Sequence, residues 1–381
     1  MGIAAIVRGR VFALFLAVLL GVYSACALGV VALVPTPLLP LFSALHAIVF
    51  VTYGALAWPR MRPLWVRLLV SWPGAFFSAG TLFALPWALL VAFGLHPAGV
   101  FVPYLLAAIG LWQSLNARRD DVHLVLTGEE RDQTLVRPEP RGAHRDERPL
   151  RLVQISDPHL GPFMSVERLA GFCARAVAAE PDLILLTGDF LTMESHSDTT
   201  LLTRALAPLQ ALPGRVFACL GNHDHEAPEH VTRALAANGI RLLVDEACDV
   251  ETPAGAVQIL GFNFVYRKRA THLARVCSAH PRTPNALRLL LLHDPGAFRH
   301  LPAGEGDLVL SGHTHGGQVG LVSLGLSWTF LRMFGIRLPD HGYWSRGRDR
   351  MYVHRGTGHY GFPLRVGVPA EDGVISVHRV Q

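Results

Sequence analysis

Two long stretches without a charged residue, Val11–Pro59 and Leu68–Ala117, restrict this chain more than any other feature. They run to 49 and 50 residues, and a helix needs about 20 apolar residues to cross the hydrocarbon core of a bilayer. Each is therefore long enough for two crossings, and each is broken near its middle by proline, at Val34-Pro35-Thr36-Pro37 and at His96-Pro97-Ala98-Gly99. The sequence predicts a transmembrane region over 1–117, with spans near 11–34, 38–58, 68–95 and 99–116. A cleaved signal peptide ending near Ser24-Ala25-Cys26 is the competing reading, but it leaves three further apolar stretches without an explanation.

Arginine placement predicts the orientation. Arg8 and Arg10 precede the first span, Arg60, Arg62 and Arg67 separate the second from the third, and Arg118 and Arg119 follow the fourth. The two remaining loops hold no Lys or Arg, so the positive-inside rule places every basic flank in the cytoplasm. An integral protein of a bacterial inner membrane is expected, with everything after the spans on the cytoplasmic side. Residues 1–117 hold five arginines and no acid, so they account for the whole formal charge of +5, and the rest of the chain balances 29 basic against 29 acidic residues. That balance gives no support for a nucleic-acid partner, which would need a basic face on the soluble part. A transport path usually carries intramembrane acids or bases, and the spans contain none. Five cysteines without a C-x-x-C pair suggest buried free thiols, not a disulfide framework or a thiolate zinc site.

Residues 118–148 are dense in charge and read as a linker, with a short strand possible at Val122–Leu126. A soluble domain over 149–381 follows, in which β-rich runs alternate with helix-length segments. Strands are predicted at Leu150–Ile155, Leu183–Leu186, Arg215–Leu220, Ile240–Val244, Ala256–Gly261, Leu287–Leu292 and Leu308–Leu310. Helices are predicted near Val166–Ala179, Thr199–Leu212, Pro228–Asn238 and Thr271–His280. This is the pattern of an α/β domain with parallel pairing, in which functional groups gather at the carboxyl ends of strands.

Five of those strand ends carry metal-binding side chains. In order they give Asp157-Pro-His159, Gly188-Asp189, Gly221-Asn222-His223-Asp224, His293-Asp294 and Gly312-His313-Thr314-His315-Gly316-Gly317. Any one of these is commonplace as a loop or cap. Five in succession are not, because clustered imidazoles and carboxylates need a cation to satisfy them. Oxygen and imidazole donors without thiolate suit Mn, Fe or Zn, and seven of them suit two ions sharing a carboxylate.

In these residues the sequence resembles the calcineurin-like binuclear metallophosphoesterases, whose ordered pattern of D-x-H, G-D, G-N-H-[DE], a lone H and G-H-x-H it matches. The ending GHTHGGQ, with the later Arg355-Gly-x-Gly358, is similar to a branch that often carries N-terminal membrane segments. The resemblance, over about 150–380, implies two mixed sheets packed together and flanked by helices. It implies one ion on Asp157, His159, Asp189 and His315, and another on Asp189, Asn222, His293 and His313. It further implies that His223 serves the leaving oxygen, with Asp224 holding its ring. Thr192 stands where the family often has Asp or Asn, and altered tuning of the ligands is expected there.

The expected protein is thus a membrane-anchored hydrolase that cleaves a phosphodiester or pyrophosphate by in-line attack of metal-bound hydroxide, with two divalent ions as cofactors. Some relatives of this kind resemble the UDP-2,3-diacylglucosamine pyrophosphohydrolases of lipid A synthesis, which makes an acylated, phosphorylated substrate the leading expectation. A phosphodiesterase for small soluble substrates and a non-catalytic membrane sensor are the alternatives. Two smaller signals remain. Leu321–Trp344 is apolar and aromatic, and reads either as a core helix plus turn or as a membrane-facing flap. Arg355 is a candidate to pair with substrate phosphate.

Overall fold

The computed structural model describes residues 3–136, 138 and 148–379. Its contacts divide it into two compact units, one ending at Leu115 and including Gly361–Val366, the other comprising Asn116–Tyr360 and the residues from Gly367 onward.

Among the described residues of the first unit, three helical stretches are long and apolar enough to cross a membrane: Ala13–Val31, Thr36–Ala57 and Leu64–Phe83. The third starts earlier than its composition suggested and stops at Ala84, because Pro86 has no N–H to donate back to residue 82. A short helix, Leu85–Ala92, continues from there. Where a fourth span was expected the chain forms Val102–Leu115, an apolar helix of 14 residues, which is shorter than the roughly 20 a crossing requires. His46 is satisfied inside this unit: its ring stacks on Tyr23 with centroids 5.3 Å apart, and its Nδ1 lies 2.9 Å from the tyrosine hydroxyl. The Ser114 hydroxyl accepts the backbone N–H of Arg365 at 2.8 Å.

The second unit is a mixed α/β body. Its strands are β1 (Arg118–Arg119), β2 (Val122–Leu126), β3 (Arg131–Val136), β4 (Leu150–Ile155), β5 (Leu183–Leu186), β6 (Val216–Ala218), β7 (Arg241–Leu242), β8 (Glu246–Thr252), β9 (Gly255–Gly261), β10 (Leu287–Leu291), β11 (Leu308–Ser311), β12 (Gly342–Gly347), β13 (Asp349–Val353), β14 (Glu371–Asp372) and β15 (Ile375–Arg379). One sheet has the order β2-β15-β4-β5-β6-β7, with β4 to β7 parallel; the other has the order β3-β12-β13-β11-β10-β9-β8, with β9, β10, β11 and β13 parallel. Part of the expected linker is therefore built into the sheets, because β2 pairs along the whole of β15 and β3 pairs with β12.

The two sheets share one core. Leu152, Leu183, Leu185 and Phe217 from one meet Ile259, Leu289, Leu291 and Leu310 from the other. The opposite face of the second sheet buries Leu260, Leu290, Val309 and Met351 beneath Leu273 and Phe298. Strands covered on both faces need continuous apolar runs, which is why Leu-Ile-Leu-Leu and Leu-Arg-Leu-Leu-Leu were readable as strands. Arg288 is the exception, buried with its guanidinium on Gln258 and Glu305. The helix Val166–Ala178 starts where the Ser165 hydroxyl accepts the Arg168 N–H, and it buries Leu169, Phe172, Cys173 and Ala176 at helical spacing. The expected helix over 199–212 is α-helical only at Leu201–Leu206, then tightens into a 3-10 turn around Pro208. All five cysteines are free and buried.

Candidate metal centre

Each candidate ligand lies a few residues beyond the carboxyl end of a strand. Asp157 and His159 follow β4, Asp189 follows β5, and Asn222, His223 and Asp224 follow β6; His293 follows β10, and His313 and His315 follow β11. The first three strands belong to one sheet and the last two to the other, so the groups converge where both sheets end. Delivering them there strains the chain. Asp157, His159, Asp189, His313 and His315 all hold positive φ, between 45° and 69°. Such backbone costs about 1–3 kcal/mol per residue and clusters at functional sites. Asp and His tolerate it better than most residues.

Close approach locks the loops. Gly312 has no room for a β-carbon, which would strike the Ser156 hydroxyl and the Asp157 carboxylate. The His313 N–H donates to both Asp157 oxygens, at 2.9 and 3.0 Å. The Arg-Gly-x-Gly stretch closes the same loop from the other side: Thr357 and Gly358 donate to the carbonyls of Ser156 and Asp157 at 2.8 and 3.1 Å, and a β-carbon at Gly358 would strike the Pro158 carbonyl. The Thr192 hydroxyl donates to the Leu160 carbonyl at 2.8 Å and thereby steadies the chain just past His159.

Two groups result. Asp157, His159 and His315 form one, and Asp189, His293 and His313 the other, each with its ligand atoms within 4.8 Å of one another. His159 Nε2 lies 3.2 Å from His315 Nε2, and His315 Nε2 lies 3.5 Å from an Asp157 oxygen. In the second group, His293 Nε2 lies 3.2 Å from Asp189 Oδ2 and 3.3 Å from Asn222 Oδ1. Asp189 Oδ2 is also 3.7 Å from His159 Nε2, so one oxygen stands between the groups. Two donors bound to one ion at about 2.0–2.2 Å stand about 3–3.5 Å apart, and these separations match.

Electrostatics agrees. The Thr187 carbonyl lies 2.6 Å from His293 Nδ1, which fixes the proton on that nitrogen and turns the Nε2 lone pair toward two oxygens. That arrangement repels unless a cation or a proton intervenes. Burial opposes charge on His293, yet the Asp189 carboxylate overrides it and pushes the ring up to about 10. A place that holds a proton this firmly suits a divalent ion. For His159 burial wins over Asp189 and Asp157, and its pKa falls to about 4, which leaves a neutral ring with a lone pair to offer. Burial would raise Asp189, but His293, His159 and His223 hold it far below the usual carboxylate range.

Two expected roles need correction. Asp224 does not hold the His223 ring. Its carboxylate is fully buried and accepts the backbone N–H groups of Asp189, Phe190 and Gly221 at 2.7–2.8 Å, which ties the loops after β5 and β6 together. The ring is held instead by Glu226, whose Oε1 lies 3.0 Å from His223 Nδ1 across one 3-10 turn. Burial lowers the His223 pKa, but Glu226, then Asp189, raise it by more, so it stands above its ordinary value.

Arg355 is not available to phosphate either. Its guanidinium is ion-paired with Asp120 and with Glu371, and it is nine-tenths buried. Glu371 also takes the Tyr352 hydroxyl and the Arg355 N–H. Burial raises the Glu371 carboxyl, but the charges of His354 and Arg355 and these bonds bring it down to about 2. A depressed carboxyl contributes its stability in full above the ordinary value of about 4.3 and loses it as pH falls toward the folded value. Glu371→Gln should therefore cost about 3 kcal/mol at neutral pH, the low end for a broken buried pair because Asp120 still pairs with Arg355. Thermal unfolding from pH 7 to pH 3 checks this: the gap between variant and parent should narrow below about pH 4.

Two aromatic rings went unread in the sequence. Tyr360 stacks on His159 with centroids 5.0 Å apart and meets His223 edge-on at 4.8 Å. Phe264 approaches His293 and His313 at 6.1 and 6.2 Å. No motif marks them, and only the Gly-His-Tyr-Gly context hinted at a loop near Tyr360.

Imidazoles and carboxylates gathered at the ends of two mixed sheets define a metal-dependent hydrolase. The family model of calcineurin-like phosphoesterases matches residues 150–317. Phosphodiesterase YaeI of Escherichia coli (strain K12) is 28% identical over 54% of this chain and 77% of its own length. The uncharacterized metallophosphoesterase YkoQ of Bacillus subtilis (strain 168) is 30% identical over 52% and 72%. UDP-2,3-diacylglucosamine pyrophosphatase LpxG of Chlamydia muridarum (strain MoPn / Nigg) is 25% identical over 55% and 78%. The chain belongs to the calcineurin-like phosphoesterases, a family with a binuclear divalent metal centre, and it is a hydrolase of phosphoester bonds.

Proposed function

We propose that this chain is a membrane-anchored phosphoesterase, with a transmembrane region over 1–117 and its catalytic domain over 149–381 on the cytoplasmic side, acting on a lipid-linked phosphodiester or pyrophosphate. The observation that carries the catalytic part is the pair of donor groups, with Asp189 Oδ2 between them. Asp157, His159, Asp189 and His315 would hold one divalent ion, and Asp189, Asn222, His293 and His313 the other. When bound, such ions supply Lewis acidity toward the phosphoryl oxygens and toward the attacking water. The rest falls to the chain's own groups. His223 gives its proton to the leaving oxygen, Glu226 orients that ring and favours its charged form, and Tyr360 packs against the His223 and His159 rings. Asp224 acts through the backbone, by holding the Asp189 and Gly221 loops in register.

Support for a lipid-linked substrate comes from the three membrane-length helices and from the likeness to a pyrophosphatase whose name specifies UDP-2,3-diacylglucosamine. The second reading, a small soluble phosphodiester, is favoured by the likeness to a protein named phosphodiesterase. Metal analysis of the detergent-purified full chain and its turnover of bis-p-nitrophenyl phosphate test the class. About two divalent ions per chain and activity abolished by chelation are expected; a metal-free chain without hydrolysis rejects it. A UDP-diacylglucosamine should be preferred over its deacylated form by at least about tenfold, and equal turnover rejects the lipid-linked substrate.

A further inference from the structure

The apolar segment after the last pair of histidines is neither a core helix nor loose chain. It begins as a tight hairpin: Leu321 donates to the Trp328 carbonyl at 2.8 Å and Phe330 to the Val319 carbonyl at 2.7 Å, around a Gly320–Thr329 bridge. A single helical turn follows, Phe330–Met333, capped where the Thr329 hydroxyl accepts the Arg332 N–H. Arg332 then grips the fully buried Asp340 with Nε at 3.0 Å and Nη2 at 2.7 Å, and its guanidinium lies 5.1 Å above the Trp344 ring. The Thr314 hydroxyl, between His313 and His315, donates to the Asp340 carbonyl at 2.6 Å. A backbone so well fastened has every means to bury its side chains, yet it presents them to the outside. Leu324 is 74% exposed, Phe334 68%, Met333 64% and Trp328 60%, with Phe330 and Ile336 near half.

We infer that residues 321–337 form an interfacial flap whose apolar face seats in a lipid surface. A contiguous exposed apolar patch marks a contact surface, and the chemistry of this one selects a bilayer as its occupant. Trp, Phe and Leu lie beside Arg332 and the exposed Arg337, and Asp340, the one acid in the sequence 321–344, is buried and already paired. Aromatic and aliphatic side chains with a basic fringe suit the boundary between acyl chains and anionic headgroups. Among its described residues the same chain carries three helices long enough to cross a membrane, and in sequence only Asn116 and Ala117 separate the apolar helix Val102–Leu115 from β1. A bilayer is therefore held within reach of this domain by its own chain. Through Thr314 and Asp340 the flap is bonded to the histidine loop, so an amphiphile drawn up along it would arrive beside the candidate metal centre. That last step rests on the proposed function; the seating in lipid does not.

The test uses the full chain, reconstituted into phosphatidylethanolamine–phosphatidylglycerol vesicles. A nitroxide is placed on Leu324→Cys, on Phe334→Cys, or on the exposed Ala303→Cys as an aqueous reference; the five native cysteines are buried and should stay unlabelled. Labels at 324 and 334 should show a ratio of oxygen to water-soluble nickel-chelate collisions at least about threefold above that at 303. A ratio equal to the reference at both positions overturns the flap, as does spin–spin broadening with aqueous collision rates, which would make a second copy the occupant. Failure of hydrolysis in every assay would remove the proposed function and leave this readout unaffected.

Discussion

Asp189→Asn should leave a folded protein that retains fewer than two divalent ions and turns over phosphodiesters more than about 100-fold slower, since loss of an outer partner of a ligand alone costs about 10–100-fold. The size of the effect follows from what the two oxygens do. Oδ1 accepts the His223 N–H at 2.8 Å, and an amide oxygen does the same. Oδ2 faces His293 Nε2 and His159 Nε2 at 3.2 and 3.7 Å, at the junction of both donor groups. An NH2 there donates where a ligand must accept, and it removes the negative charge that faces both His293 and His159. On the proposed ligand assignment, both donor sets lose a member at once. The fold should survive, because the buried partners of Asp224 on this loop are backbone N–H groups that the substitution leaves in place. Metal analysis, turnover and a thermal midpoint measured together decide it. Full metal content with full activity would dismiss Asp189 as the shared ligand.

Residues on one short segment were legible in the sequence; partners from distant segments were not. The strands β5, β10 and β11 are apolar runs but for Arg288 and the terminal Ser311 because they are buried throughout, and that pattern needs no tertiary knowledge. The histidines and aspartates behind them stand out because few other roles require those side chains in succession. The resemblance implied Asp224 as the partner of the His223 ring, and Glu226, also near in sequence, went unread. The fold decides between them by drawing Asp224 inward onto three backbone N–H groups, leaving Glu226 one turn away on the ring side. Arg355 read as a phosphate contact because its counter-ions, Asp120 and Glu371, come from opposite ends of the soluble part. Strand β2 was readable at Val122–Leu126, whereas β3 hid in the charged stretch because its register is set by β12, far along the chain. Apolar composition at 321–344 invited a core reading, since burial in protein and burial in lipid call for the same side chains.

His223→Gln should separate substrates by their leaving groups. His223 stands outside both donor groups, its ring centroid 5.3 Å from that of His159 and 4.8 Å from that of Tyr360, so metal content should stay that of the parent. A general acid contributes about 10²–10⁴-fold when the departing oxygen needs a proton, and little when it leaves readily as an anion. Turnover of an alkyl phosphodiester should accordingly fall by about 10²–10⁴-fold, and that of bis-p-nitrophenyl phosphate by less than about tenfold. The pH profile gives an independent reading. Glu226 raises the His223 pKa above its ordinary value against the pull of burial, so the proton persists to higher pH than in a free imidazole. Removing that charge in Glu226→Gln leaves burial less opposed, and the proton departs earlier. The alkaline limb of kcat should move to lower pH for the alkyl substrate and stay in place for the nitrophenyl one. Equal losses on both substrates in His223→Gln, with an unmoved alkaline limb in Glu226→Gln, would reduce His223 to a residue that shapes the pocket and leave the leaving oxygen to be protonated by solvent.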